Sequence, residues 1–334
     1  MIDRHMVSGQ VLRTNRGRSW WRLNRIVVRP CGSIVALLLL SACSTLTYPP
    51  GTGRHEARLD VPAGVFVSED GTQLPLRFFP ATGADVRAVV LALHGFNDYS
   101  GTFARAGAYF AARGVAVYAY DQRGFGAGAW PGVWPGASML AADASAATRL
   151  LRQRYPGTPV YVLGASMGGA IALVAAAGHQ LDADGLILIA PAVWGRSTQP
   201  WYQRLALSVA SGLWPGGKIP AQALGRQVTD NPDALQALES DPLVIKQVRF
   251  DTLAGLVDLM DQALATAPSI KMPVLVLYGD HDRIIPREPV ELFWQRLPHT
   301  DMQQRHDYPD GWHLLLRDLQ AEQVYADILG WLPR

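Results

Sequence analysis

The sequence predicts an α/β fold: a mostly parallel central sheet with helices on both faces, an antiparallel hairpin at its start and a helical cap inserted before its last strands. Two observations lead there. Five short, nearly continuous apolar runs recur along the chain, as strands buried on both faces require, and helix-length stretches separate them in βαβα order. A length of 334 residues with 49% hydrophobic content allows one large domain, since folds of this class often exceed the usual domain size as a single unit.

In chain order, residues 1–42 come first, with arginines at 4, 13, 16, 18, 22, 25 and 29 before the apolar run Ile34 to Leu40. That run is too short to span a bilayer, which takes about 20 residues, and fits the apolar core of a signal peptide. It ends in "LSAC", Leu40 to Cys43, which resembles the bacterial lipobox. The resemblance implies cleavage before Cys43 and acylation of that cysteine. Several acyl chains anchor stably where one does not, so the chain is expected on a membrane of the bacterial cell envelope. Ser44 in place of an aspartate goes, in such lipoproteins, with sorting to the outer membrane, facing the periplasm. The only other cysteine, Cys31, lies in the discarded part, so no disulfide is expected. Residues 43–60, rich in Pro, Gly and Thr, read as a tether, and 61–334 as the folded body.

Removing 1–42 leaves 23 Lys+Arg against 27 Asp+Glu, a net charge of −4, and no basic run follows Arg29. Nucleic acid is excluded as a main partner on that balance.

The body opens with "GVFVSEDGTQLPLRFF", two β-rich runs around Asp70-Gly71, a dipeptide that predicts a two-residue type I′ hairpin. Buried strands are then expected at 87–95, 114–121, 159–166, 185–192 and 273–280, with helices over 102–113, 138–155 and 167–177. Between about 193 and 270 the alternation stops, in a stretch carrying Trp194, Trp201, Tyr202 and Trp214. A connection of that length has structure of its own, and apolar aromatics there suit a helical cap over a pocket.

"GASMG", Gly164 to Gly168, is G-x-S-x-G between a predicted strand and a predicted helix, the setting of a nucleophile elbow. Ser166 would stand in a strained turn that leaves room only for small neighbours at 164 and 168, and the N–H of Met167 would face a developing oxyanion. A serine nucleophile needs a base and an orienting acid, which in this fold follow in the order Ser, acid, His. "DHDRIIP" offers Asp280 and Asp282; Asp280, nearer the strand end, suits turn capping, and Asp282 is taken as the acid. "YPDGWHLLLRD" supplies His313 as base, with His281, His299 and His306 as rivals. The loop "HGFNDYS" supplies the second oxyanion donor at Phe96, and His94 is read as its brace. The turn "YDQRGFGAG" lacks the lysine and spacing of a phosphate-binding loop.

The pieces "HGFNDYS", "DQRGFGAG", "GASMGG", "VTDNPDALQALESDPLV", "GDHDRIIP" and "YPDGWHLLLRD" occur in an order that resembles the α/β-hydrolase superfamily and, within it, the monoacylglycerol lipase and lysophospholipase group, often placed with serine aminopeptidase-like hydrolases. The resemblance spans about Gly64 to Arg334 and implies an α/β-hydrolase fold, Ser166 as nucleophile, Asp282 as acid, His313 as base, Phe96 and Met167 as oxyanion donors, and no metal or organic cofactor. The chain departs from the group at Asp98-Tyr99 and at Ala127-Gly128. The implied reaction is hydrolysis of a fatty acyl ester, a monoacylglycerol or lysophospholipid. Two other readings stand beside it: an aminopeptidase or amidase using Glu239 and Asp241 to hold an amine, and a catalytically silent lipid-anchored binding protein.

Overall fold

The computed structural model describes residues 46–83, 85–178, 181–221 and 227–333. The signal segment and Cys43 lie outside them. A nine-stranded sheet runs through the body in the order β1-β2-β3-β5-β4-β6-β7-β10-β11. Its antiparallel end is β1 (Arg58–Asp60), β2 (Val65–Val67) and β3 (Gln73–Phe79), which also joins β5 (Val115–Tyr120) antiparallel. The rest is parallel: β4 (Ala88–Leu93), β6 (Val160–Ala165), β7 (Gly185–Ile189), β10 (Val274–Gly279) and β11 (Gln303–Tyr308).

The continuous apolar runs follow from burial on two faces. Along β4, Val89, Leu91 and Leu93 enter one core, with α2 (Ala137–Arg154) and α3 (Met167–Ala177), while Ala88, Val90 and Ala92 enter the other, with α1 (Ala104–Ala111) and α8 (Ala321–Trp331). Side chains that alternate across the sheet each meet a helix layer, so neither face tolerates a polar residue.

Three features differ from the sequence expectation. The hairpin turn is not type I′: only Gly71 has positive φ, at 83°, while Gly71 N donates to Ser68 O (2.9 Å) and Ser68 N to Thr72 O (2.9 Å). This is a three-residue loop with a glycine bulge. Asp70 does not take the positive φ that a type I′ turn needs, and its carboxylate accepts from Thr72 N (3.0 Å) and from Arg123. Second, the stretch read as a tether is tied to the body at several points: β1 pairs with β2, Thr52 N reaches Asp70 O (2.9 Å), His55 N reaches Glu69 O (2.7 Å), and Tyr48 is 6% exposed. An aromatic ring and free backbone donors beside a sheet edge outweigh the loop-like composition.

Third, the stretch 193–270 divides in two. Helix α4 (Trp201–Leu213), β8 (Lys218–Pro220), α5 (Pro232–Ser240) and β9 (Gln247–Arg249) form the cap, with β8 and β9 paired antiparallel. Helix α6 (Phe250–Thr266) instead lies along α3 and sends Leu259, Ala263 and Leu264 into the main core, and the turn Ala267–Ser269 after it contacts α7 (Arg287–Arg296). Because the central strands are parallel, the loops after β4, β6, β10 and β11 leave from one edge of the sheet. The chain reverses its direction of winding between β4 and β6, and that crevice is where such sheets place their ligands.

Candidate active site

Ser166 joins β6 to α3 with φ 50° and ψ −112°, a left-handed backbone on a non-glycine residue. Its backbone is tied on both sides: Ser166 N donates to Ile189 O (2.9 Å), and Ser166 O accepts from Ala192 N (3.0 Å) and Gly169 N (3.0 Å). The flanking glycines are steric requirements. A Cβ on Gly168 would collide with the backbone of Leu93, and one on Gly164 would lie 2.5 Å from Gly169 N. Strain is thus held by contacts with β4 and with the start of α3. Met167 opens α3 and is fully buried, so its N–H is among the amides a helix leaves without an internal acceptor.

Asp282 follows β10 and is held by two backbone amides: its Oδ1 accepts from Ile284 N (2.8 Å) and Ile285 N (3.0 Å). Its Oδ2 lies 2.8 Å from His313 Nδ1. Both residues are 8% exposed. This bond sets the imidazole's tautomer, with the proton on Nδ1 and Nε2 left as the basic nitrogen. The rivals lie elsewhere. Asp280 pairs with Arg287 at the surface, His299 is exposed with Nε2 3.0 Å from Gln295 O, His306 is 3.8 Å from Asp327, and His281 is exposed.

Two glycines that sequence reasoning passed over bring the Asp282 and His313 loops together. A Cβ on Gly279 would lie 2.5 Å from the Gly311 carbonyl, and His281 N donates to Gly311 O (2.9 Å). Asp318 was also missed: fully buried, it accepts from Trp312 N (2.8 Å) and so braces the residue before His313. The signals that could have found them are the dipeptides Gly279-Asp280 and Asp310-Gly311.

Phe96 lies in the loop after β4, and His94 braces that loop from below. Nε2 of His94 accepts from Gln122 N (2.9 Å), so its proton is on Nδ1 and is donated to Gly95 O (2.8 Å). Burial pushes this imidazole down from its ordinary value, which keeps it neutral and in that tautomer. From above, Tyr99 donates to Asp241 Oδ2 (2.7 Å); burial first, and then this bond, push the phenol up to about 12.

A cavity of about 1010 Å³ opens beside these groups. Phe96, Ser166 and His313 lie on its wall, and most of the remainder is apolar, including Leu207, Leu238, Val257 and Met260. No hydrogen bond joins the side chains of Ser166 and His313 in this structure.

A family model described as serine aminopeptidase, S33 matches residues 84–320. The chain belongs to that family. It is an α/β-hydrolase of the monoacylglycerol lipase-like group. It is 28% identical over 251 residues to a monoacylglycerol lipase of Mycolicibacterium smegmatis, covering 74% of this chain and 89% of that one. To a monoglyceride lipase of Homo sapiens it is 28% identical over 285 residues, covering 80% and 89%. Among solved structures, the fold is similar to a monoacylglycerol lipase of Paleococcus ferrophilus, with a TM-score of 0.64 at 23% identity over 78% of this chain and 98% of that one. It is equally similar to a soluble variant of the Saccharomyces cerevisiae monoglyceride lipase bound to a substrate analog, with a TM-score of 0.64 at 20% identity over 86% and 96%.

Proposed function

We propose that this family member hydrolyses carboxylic esters of fatty acyl groups, a monoacylglycerol or a lysophospholipid, through an acyl-enzyme on Ser166. The observation that carries the proposal is the buried Asp282–His313 pair on the same apolar cavity as a serine held at positive φ. Ser166 Oγ attacks the ester carbonyl while His313 Nε2 takes its proton. The carbonyl oxygen becomes an oxyanion facing the N–H groups of Phe96 and Met167. Collapse expels the alcohol, which receives the proton from His313, and leaves the acyl group on Ser166. A water molecule, deprotonated by His313, then attacks the acyl carbonyl, and collapse releases the fatty acid and returns the proton to Ser166. Asp282 holds the imidazole in its tautomer and stabilises the imidazolium of each step. Substrate binding is what draws Ser166 Oγ and His313 Nε2 into hydrogen-bond range, as apo catalytic contacts are often long.

The amine-binding alternative is weakened at Asp241, because both its oxygens are in use: Oδ2 by Tyr99 and Oδ1 by Leu243 N (2.8 Å). Of the pair Glu239 and Asp241, only Glu239 lies on the cavity wall. In the same proposal, residues 1–42 are a signal peptide and Cys43 carries the lipid that holds the enzyme to the outer membrane, close to lipid esters. A panel of monoacylglycerols, lysophospholipids and aminoacyl anilides tests the substrate class: turnover of the acyl esters is expected, and faster turnover of the anilides would overturn it. A Cys43→Ala variant is expected to leave the membrane fraction, and its retention there would contradict the anchor.

A further inference from the structure

The cap meets the catalytic loops through the two ends of α5, and each end lands on a different loop. At the start, Asn231 uses its side chain twice. Its Oδ1 caps the helix, accepting from Asp233 N (3.1 Å) and Ala234 N (3.3 Å), while its Nδ2 donates to Arg317 O (2.9 Å). Close by, Leu314 N donates to Val228 O (3.0 Å) and Leu319 N to Asp230 Oδ1 (2.9 Å). Arg317, Leu314 and Leu319 all belong to the segment that follows His313.

At the other end, Asp241 repeats the arrangement. One oxygen stays within the cap, accepting from Leu243 N (2.8 Å), and the other accepts from Tyr99 Oη (2.7 Å). Ile245 N then donates to Asn97 O (2.9 Å). Asn97 and Tyr99 flank Asp98 on the loop that carries Phe96, and Asn97 holds a left-handed backbone, φ 64°. The body fixes that loop at its two ends, through His94 and through Ser100 N on Asp121 Oδ1 (2.9 Å). Its middle is held by the cap, with two further contacts: Arg317, from the segment after His313, lies 3.8 Å from Asp98 Oδ2, and the Arg77 guanidinium sits 5.6 Å over the Tyr99 ring.

We propose that α5 is a strut that sets the spacing between the Phe96 N–H and the His313 imidazole, with Asn231, Asp241 and Tyr99 as positioning residues. A nine-residue helix is a rigid spacer of about 13 Å. It ties together two loops that leave the sheet from separate strands, β4 and β11. It also explains why the stretch "VTDNPDALQALESDPLV" pairs a helix-capping Asn with a terminal Asp: both need one side-chain atom for the helix or its exit and a second for a catalytic loop. Leu235 and Leu238 of the same helix line the cavity, so the strut is also part of the wall that an acyl chain would touch. The inference rests on the proposed roles of Phe96 and His313.

Two substitutions remove the outward bonds and keep the local ones. Tyr99→Phe retains the ring and deletes the hydroxyl; Asn231→Ser retains a capping oxygen and deletes the amide donor. With a short soluble ester, each is expected to lower kcat about tenfold while KM changes less than about twofold, as for groups that position the reacting atoms. Affinity for an alkyl boronic acid, which mimics the tetrahedral intermediate, is expected to fall in parallel, and the melting temperature to stay within about 2 °C of wild type. Wild-type kcat in both variants overturns the strut. So does a lower kcat with unchanged boronate affinity, or one that merely tracks a lower melting temperature. Fluorophosphonate labelling of Ser166 in the wild type separates two failures: unchanged variants with labelling intact overturn the strut alone, and absent labelling overturns the proposed reaction and the strut together.

Discussion

The turn that carries Ser166, the proposed nucleophile elbow, and the outer face of the cap hold their side chains by opposite means. At the elbow, Ser166 is fixed by backbone contacts: its neighbours Gly164 and Gly168 touch main-chain atoms, and Leu93, Leu163 and Ile189 around it are at most 2% exposed. On α4, no residue is buried, and Trp201 (68% exposed) and Tyr202 (57%) face outward. The cap is joined to the catalytic loops largely by individual hydrogen bonds at the ends of α5. The proposed nucleophile is therefore housed where one added methyl group is a collision, and the cap's outer surface where exchange is cheap. Between these extremes lies the hairpin turn, held through Asp70 by the buried Arg123.

The difference is sharpest at Gly168. Gly168→Val pushes a side chain into the Leu93 backbone, and a destabilisation of about 3 kcal/mol or more is expected by chemical denaturation. A variant as stable as wild type would break the contrast between elbow and cap.

An intermediate effect, dependent on pH, is expected at Asp70. Arg123, 2% exposed, bonds both Asp70 and the buried Asp143, which links the hairpin turn to α2. Burial alone would raise the Asp70 carboxyl, but the Arg123 guanidinium and the Thr72 amide hold it well below its ordinary 3.8. A lowered carboxylate pKa stabilises the fold fully above the unfolded value and loses that contribution as pH falls through the folded one. Asp70→Asn is thus expected to cost about 1–2 kcal/mol at pH 7, with the gap to wild type narrowing below about pH 4. Urea melts at pH 7 and pH 3 check the sign; an equal gap at both would remove the ion pair from the explanation.

The smallest effect belongs to α4. Replacing Trp201 and Leu205 together by Ser is expected to change folding stability by less than about 0.5 kcal/mol, since both are more than half exposed. Thermal melts of the double variant check this, and a loss comparable to that of Gly168→Val would mean that the face is packed.

How much of this was legible in the sequence follows the same division. The strands from β4 to β7 and β10 could be read within three residues at each end because burial on two faces leaves no polar interruption, and "GASMG" could be read because its glycines answer a local steric need. Asp282 was separable from Asp280 by position alone. What stayed hidden depends on partners far along the chain. Asp70 in the hairpin turn is bound by Arg123, 53 residues away, the segment before β1 bonds to the hairpin in a way that composition does not announce, and α6 belongs to the core because α3 lies beside it. Asp241 read as a candidate amine ligand because its partner, Tyr99, lies 142 residues away. Gly279 and Gly311 matter only because β10 and β11 are neighbours in the sheet.

The most direct measurement is peptide-resolved mass spectrometry of the enzyme after reaction with a fluorophosphonate, for wild type and Ser166→Ala. A nucleophilic Ser166 activated by His313 predicts one adduct, on the peptide containing Gly164 to Gly168, and none in the variant. An adduct on another residue, or equal labelling of both proteins, would contradict it.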